Sequence, residues 1–403
     1  MRILQVNSVY KTGSTGKIVD CVGRELRERG HYAFTCYGIG GAYYDMYSQK
    51  ICSNFEHLVN SFLSRIRGIP YGGVFFSNER LKKVIKRIHP DIVHVHCINA
   101  NTINVYRFLK FLAKNRINTV VSLHAEIFYT AGCEHAYDCE KFKDYCHNCE
   151  FYRNKIGSWI WDRSEKSWAL MRDAFAAFAP DTLIVAGVSP WLTERARQSS
   201  ILRGHRVECV ANGVDTNVFF YKKNISLISR EHYEKIILFV TAYYGHESND
   251  IKGGRYLPIL AKFLPNYKFV IVATNMSRRL NEMPSNIQVW GRTSSQEELS
   301  QLYSEADATI ILSKREAFSM VTAESLCCGT PVVGFRAGGP ESIALKEYSK
   351  FVNYANVQAL SSALQSCLSS SYSPLEISKK AIRTYSEDRM VSSFLKLYLS
   401  LSS

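Results

Sequence analysis

Residues 313–341 read SKREAFSMVTAESLCCGTPVVGFRAGGPE, directly after the apolar run ATIILS that ends on the same Ser313. An apolar run, a polar loop, a helical stretch and a second apolar run, PVVGF (331–335), predict strand, loop, helix and strand. Glu316 falls in the loop, Phe318 to Val321 at the helix start, and Glu324 eight residues after Glu316, within the helix. This spacing puts one carboxylate outside a helix, free backbone N–H groups at its end, and a second carboxylate two turns along. A sugar nucleotide needs those parts in that order: acceptors for sugar hydroxyls, donors for a diphosphate and an acceptor for a ribose diol. Glutamates that are merely solvated or capping are the plainer reading of a lone acid pair.

The same alternation runs outward in both directions. On the N-terminal side, strands are predicted at residues 2–7, 32–37, 91–95, 119–123, 182–188 and 207–210, with helices at 16–29, 80–88, 103–115 and 162–178. The polar stretch KKNISLISREHYEK (222–235) interrupts the pattern. It then resumes with IILFVTAYY, KFVIVATN, IQVWG, ATIILS and PVVGF, each followed by a helical run. Short apolar strands alternating with amphipathic helices predict α/β domains built on parallel sheets covered on both faces. Two Rossmann-like domains are expected, over residues 1–213 and 214–385. Apolar residues at helical spacing in EDRMVSSFLKLYLSLSS, among them Met390, Val391, Phe394, Leu395, Leu397 and Tyr398, predict a terminal helix over 386–403 packing toward the first domain. Ligands of open parallel sheets sit outside the carboxyl ends of the strands, so a cleft between two such domains is the expected site.

The chain has 403 residues, 46% hydrophobic and 21% charged, with a formal net charge of +14. That composition is of the soluble globular kind, and no apolar stretch approaches the roughly 18 residues of a membrane span. The start, MRILQVNSVYKTG, lacks the apolar core of a secretory signal and reads as a first strand, so a cytoplasmic protein is expected. The positive balance favours phosphate-bearing partners: nucleotides, nucleic acid or an anionic membrane face.

The stretch VNSVYKTGSTGKIVD (6–20) places Gly13 and Gly16 at the mouth of a helix, where N–H groups and the helix dipole can hold an anion. A nucleoside-triphosphatase loop would need glycine where Lys11 stands and Ser or Thr where Ile18 stands. A dinucleotide fingerprint would need a third glycine and an acidic residue closing the strand at 32–37, and both are missing. A flexible turn explains the two glycines as well.

Of twelve cysteines, four cluster in the loop 132–150 as Cys133, Cys139, Cys146 and Cys149. The spacing C-x5-C-x6-C-x2-C fits a structural zinc pinning a long loop, with His135 and His147 as substitute ligands; two disulfides are the rival, disfavoured in a reducing compartment. His94 and His96 alternate along a buried-looking strand and read as hydrogen-bonded core residues, His96 being nearer the strand end. The run ERLKKVIKRIH sets Arg80, Lys82, Lys83, Lys86 and Arg87 around Leu81, Val84, Ile85 and Ile88. This is either a solvated basic face or, with Arg65, Arg67, Arg107 and Lys110, a face for an anionic bilayer.

The E-x7-E element followed by CGTPVVGFRAGGPE, preceded by VWGRTSSQEELSQLYSEADATIILS (289–313) and by VANGVD (210–215), resembles the retaining glycosyltransferases of family four, which have the GT-B fold. The resemblance covers most of the chain and is nearest to bacterial transferases that build exopolysaccharide or lipopolysaccharide on a lipid carrier. It implies that Glu316 contacts the donor sugar, that Glu324 contacts the ribose, and that the backbone of Phe318, Ser319 and Met320 holds sugar and phosphate. It further implies that Lys252, in NDIKGG, neutralises the diphosphate leaving group, that Gly13 and Gly16 approach the same phosphates, and that His124 faces the reacting sugar. The family arginine before the lysine is missing from AYYGHESND, leaving His246 or Arg255 as its substitutes. The common glycines after the first glutamate are here Ala317 and Ser319.

The implied chemistry is metal-independent transfer from a nucleotide-diphosphate sugar to a saccharide acceptor, lipid-linked in the nearest cases. Retention without a carboxylate nucleophile implies front-face attack assisted by the leaving phosphate. Peripheral attachment to the cytoplasmic face of the membrane is expected. A sugar-nucleotide epimerase of similar fold shares the donor site. A nucleic-acid-binding protein would use the basic surface but gives Glu316 and Glu324 no role, so no nucleic acid partner is expected.

Overall fold

The computed structural model describes residues 1–43, 45–73, 76–247, 250–277 and 283–402. The chain divides into two compact units, one formed by Met1–Ala211 with the chain from Met390 onward, the other by Asn212–Arg389.

The first unit holds a parallel seven-stranded sheet in the order β3-β2-β1-β4-β5-β6-β7. Its strands are β1 (Arg2–Asn7), β2 (Tyr32–Tyr37), β3 (Ser48–Lys50), β4 (Ile92–Val95), β5 (Thr119–Leu123), β6 (Leu183–Gly187) and β7 (Arg206–Cys209). The helices are α1 (Gly13–Glu28), α2 (Asn54–Arg67), α3 (Phe76–Ile88), α4 (Val105–Lys114), α5 (Ser164–Phe175) and α6 (Pro190–Arg197). Helix α1 forms because Ile18, Val19, Val22 and Leu26 recur at helical spacing and are all buried. Burying both faces of the sheet makes β4, β5 and β6 almost wholly apolar. Strand β3 escapes sequence reading because its three residues, SQK, form a half-exposed polar edge.

The second unit holds a six-stranded parallel sheet, order β10-β9-β8-β11-β12-β13. Its strands are β8 (Lys235–Tyr244), β9 (Tyr267–Met276), β10 (Ile287–Gly291), β11 (Ala308–Ile311), β12 (Val332–Phe335) and β13 (Ser349–Val352). Its helices are α7 (Leu257–Phe263), α8 (Gln296–Glu305), α9 (Met320–Cys327), α10 (Gly339–Ile343), α11 (Val357–Leu368) and α12 (Pro374–Tyr385). The helical run expected after β9 falls on residues 278–282, which lie outside the described residues. Ile237, Phe239, Ile271, Ile310 and Phe335 from the strands pack with Leu257, Leu260, Leu360 and Leu364 from α7 and α11 as its core. The last helix, α13 (Glu387–Ser402), buries Met390, Val391, Phe394, Leu397, Tyr398 and Leu401 against Ile3, Ile92, Val120 and Ile184 of the first unit's sheet. Leu395 is only partly buried there.

Candidate active site

In the second unit the loop after β11 brings Glu316 against Lys252. The Lys252 ammonium donates to Glu316 Oε1 at 2.8 Å and the Ser313 hydroxyl donates to the same oxygen at 2.6 Å. The glutamate side chain is 13% exposed and that of the lysine 35%. Burial pushes the Glu316 carboxyl up, but the Lys252 charge, with hydrogen bonds from Lys252, Ser313 and Ser319, holds it below its ordinary value. Glu316 is therefore a carboxylate at neutral pH, able to accept from hydroxyls.

Backbone contacts fix both partners. Glu316 N–H donates to the Ala337 carbonyl and Gly339 N–H to the Glu316 carbonyl. A Cβ at Gly339 would lie 2.6 Å from Phe318 N, so the GG of GGPE lets two loops cross. Asp250 accepts from the N–H groups of Lys252 and Gly254, and Gly253, at φ 75, passes so near that a Cβ would meet the Leu312 carbonyl oxygen at 2.1 Å. Of the expected substitutes for the missing arginine, His246 bonds the Tyr244 hydroxyl, and the Arg255 guanidinium lies over the Tyr256 ring and donates to its hydroxyl.

Helix α9 begins at Met320, later than expected, because Ser319 has φ 84. That angle cannot continue a right-handed helix and costs a non-glycine residue on the order of 1 kcal/mol. It suits an N-cap: the Ser319 hydroxyl accepts from Thr322 N–H. The N–H groups of Met320 and Val321, in the first turn, have no partner inside the helix by construction. Phe318 and Ser319 are buried and Met320 half-buried. Glu324 lies about one turn into the helix rather than two, and its Oε2 accepts from the Tyr303 hydroxyl of α8 at 3.1 Å. Glu316, Lys252, Ser319 and Ser313 are thus brought together, with Glu324 farther along the same helix. Ser313 and Tyr303 were missed in the sequence; Ser313, at the strand's end three residues before Glu316, carried a usable signal.

In the first unit α1 opens at Gly13, with φ 64 and open space where a Cβ would stand. Its N-cap, Thr12, makes no side-chain cap bond. Gly16 is needed for a different reason: a Cβ there would press on Lys11 N at 3.2 Å and Tyr10 C at 3.3 Å as the loop folds back.

His124 follows β5, and its neighbours define its proton. Gln5 Nε2 donates to the Val19 carbonyl at 3.0 Å, so Gln5 Oε1, 3.1 Å from His96 Nε2, is an acceptor. His96 consequently carries its proton on Nε2 and offers the Nδ1 lone pair to His124 Nε2, 3.3 Å away. His124 is then the Nε2–H tautomer with an unprotonated Nδ1. Burial depresses all three histidines, His94 and His96 well below the ordinary range and His124 to about 4. His94 lies fully inside, bonded to the Tyr398 hydroxyl at 2.6 Å and Ser122 at 2.7 Å. His96 is equally buried. Folded, these imidazoles stay neutral below the pH at which they protonate in the unfolded chain, near 6.5. Between that pH and about 4 the unfolded chain binds more protons, so stability falls as pH falls through this window. The melting temperature is expected to drop by several degrees from about pH 7 to about pH 4.5. A flat profile would mean that the histidines titrate normally.

The four clustered cysteines are free thiols. Burial raises Cys133, Cys146 and Cys149, and each of the six sulfur pairs is close enough for mutual electrostatic influence. The Lys141 ammonium bonds the carbonyls of His147 and Asn148, inside the C-x2-C turn. His147 turns its Nδ1 to the Tyr145 carbonyl, and His135 packs on Tyr137. Among the described residues no three His, Cys, Asp or Glu side chains are already arranged to hold a metal.

Comparison with known proteins agrees with the two parallel-sheet units. The family pattern described as Glycosyltransferase Family 4 matches residues 16–218, and that of Glycosyl transferases group 1 matches residues 256–384. The chain is 21% identical to the putative colanic acid biosynthesis glycosyl transferase WcaC of Escherichia coli (strain K12), over 100% of both chains. It is 23% identical to the N-acetyl-alpha-D-glucosaminyl L-malate synthase of Bacillus anthracis, over 82% of this chain and 78% of that one. Among solved structures, sucrose-phosphate synthase from Thermosynechococcus elongatus superposes with a TM-score of 0.69 at 13% identity, covering 100% of this chain and 99% of the other. Anabaena HepE in complex with UDP gives 0.65 at 15%, covering 99% and 100%. The two parallel-sheet units, the Glu316–Lys252 cluster and a family pattern spanning half the sequence have one reading: the chain belongs to glycosyltransferase family 4 and is a GT-B glycosyltransferase of polysaccharide or glycoconjugate biosynthesis.

Proposed function

We propose that the chain is a retaining transferase that moves a sugar from a nucleotide-diphosphate sugar to a lipid-carrier-linked saccharide, in surface polysaccharide synthesis at the cytoplasmic face of the membrane. The observation that carries the donor assignment is the Lys252–Glu316–Ser313 cluster at the carboxyl end of β11, beside the open first turn of α9. In this reading the Glu316 carboxylate accepts from donor-sugar hydroxyls and Glu324 takes the ribose diol. The Phe318–Met320 backbone and Lys252 hold the diphosphate, Gly13 and Gly16 admit it closely, and His124 offers Nδ1 as an acceptor toward the reacting sugar. As the sugar–phosphate bond breaks, the electron pair goes to the diphosphate oxygen, whose charge Lys252 neutralises, while the acceptor hydroxyl loses its proton to that phosphate. Support comes from relatives: HepE has been solved with UDP-glucose, and starch synthase IV of Arabidopsis thaliana with ADP and acarbose.

A thermal-shift panel of sugar nucleotides tests the reading. A true donor at 100 times its dissociation constant stabilises by about 2.7 kcal/mol, whereas its free sugar does not. No shift with any nucleotide would remove the donor site.

For the cysteine loop, zinc remains the favoured ligand. The support is the C-x5-C-x6-C-x2-C spacing, with thiols near enough to influence one another electrostatically; binding would draw them into a tetrahedron and deprotonate them. Elemental analysis of protein purified under reducing conditions should find about one zinc per chain. Substituting Cys146 and Cys149 together by serine should remove it and lower the melting temperature. Metal-free protein of unchanged stability would leave only thiols.

A further inference from the structure

Helix α2 is built inside out. Its buried residues are Glu56, Asn60 and Ser64, four apart on one face. Glu56 accepts from the Ser77 backbone N–H and from Arg80, both at 2.6 Å. The opposite face carries Phe55, Leu58 and Phe62, which fall within about 60° on a helical wheel. They are left in solvent, Phe55 75% and Leu58 67% exposed. The partly buried Val59 and Ile66 continue the stripe.

The segment Trp159-Ile160-Trp161 extends this surface, each residue about half exposed. The Trp159 ring meets Phe62 edge-on at 6.0 Å, and the Arg65 guanidinium lies 5.4 Å from the Trp159 ring centre. Two bonds hold the two pieces as one surface: the Trp159 N–H and the Ser158 hydroxyl both donate to the Arg65 carbonyl, at 2.8 Å and 3.5 Å. Gly68 ends the helix at φ 63, where a Cβ would strike the Trp161 carbonyl at 2.6 Å.

A helix that turns its carboxylate inward and its phenylalanines outward leaves an apolar patch that water does not favour, and such patches mark contact surfaces. We propose that this face of α2, with Trp159 and Trp161, seats on an anionic lipid bilayer. Tryptophans belong at the depth where headgroups meet acyl chains, and an amphipathic helix lies in that plane with its apolar side down. Arg65 stands exposed at the edge of the stripe in the last turns of α2, about 20° from Leu58 on the same wheel, and among the described residues it is not paired with a carboxylate. Anionic headgroups would supply that charge. A second copy docking face to face would instead bring arginines together, since the only acid of the helix is buried.

The basic run of α3, which the sequence offers as either a solvated face or a bilayer face, is the weaker candidate. Its Leu81, Val84, Ile85 and Ile88 are buried, leaving only Phe76 exposed among its large apolar residues. Arg80 is tied to Glu56, Lys82 to Glu79 and Arg87 to Gln49. It supplies charge without an insertion surface.

The proposal deepens the membrane reading given above, but binding is measured on the chain alone, so its failure and the failure of the transferase assignment are separate results. The test is sedimentation with vesicles of phosphatidylcholine containing or lacking phosphatidylglycerol, at low and physiological salt. The full chain should bind the anionic vesicles at least tenfold better, with a tryptophan emission blue shift. Replacing Phe55, Leu58 and Phe62 by serine should lower binding at least tenfold with an unchanged melting temperature, and Trp159→Ser with Trp161→Ser should abolish the blue shift. Neutralising Lys82, Lys83 and Lys86 should cost less than the serine set. Indifference of the full chain to anionic lipid, undiminished binding by the serine set, or larger losses from the α3 lysines would each overturn the proposal. So would a dimer by sedimentation velocity that the serine set turns into monomer. If the serine set fails to fold, the Trp159 and Trp161 variant alone decides.

Discussion

Glu316→Gln is expected to lower kcat by on the order of a hundredfold or more while leaving the protein folded, because charge aimed at a reacting centre is worth far more than its contribution to stability. The amide keeps the volume and one oxygen, so Ser313 and Lys252 still have an acceptor at 2.6 Å and 2.8 Å. What disappears is the negative charge. Lys252, 35% exposed, can rehydrate when the ion pair weakens, so the melting temperature should move by only a few degrees. Product analysis with a donor found by thermal shift measures it. Retention of most activity with unchanged KM would place Glu316 outside the reaction.

Lys252→Ala should act on both binding and chemistry. Loss of a charge-assisted contact to phosphate is worth about 1.5–3 kcal/mol, or roughly tenfold to more than a hundredfold in kcat/KM. A second consequence is specific to this arrangement. Burial acts to raise the Glu316 carboxyl, and the Lys252 cation is the leading influence that lowers it. With the cation gone, burial dominates and the carboxyl titrates higher, so the acid limb of the pH–rate profile should shift upward. A profile identical to that of the parent, with kcat/KM within twofold, would show that another cation serves the leaving group and that Glu316 does not depend on Lys252.

Much of this molecule was legible in the order of its residues. Strand after strand is apolar because parallel sheets are covered on both faces, so β1, β2 and β5 fall where the apolar runs place them. Glu316 could be named from the strand, loop and helix pattern that spaces it eight residues from Glu324, and Lys252 from the family resemblance of NDIKGG. Three things needed the tertiary structure. The contact between Lys252 and Glu316 joins residues 64 apart, and nothing local prescribes it. The helix start at Met320 depends on a left-handed Ser319, a conformation that the local sequence disfavours and its surroundings impose. The proton on His124 is set through His96 by Gln5, 91 residues from His96 in the chain. Helix α2 shows the same limit from the other side: periodicity reveals which residues share a face, but not which face turns inward. Its buried Glu56 is satisfied by Ser77 and Arg80, partners brought to it by the fold, and that pairing leaves the phenylalanines outside.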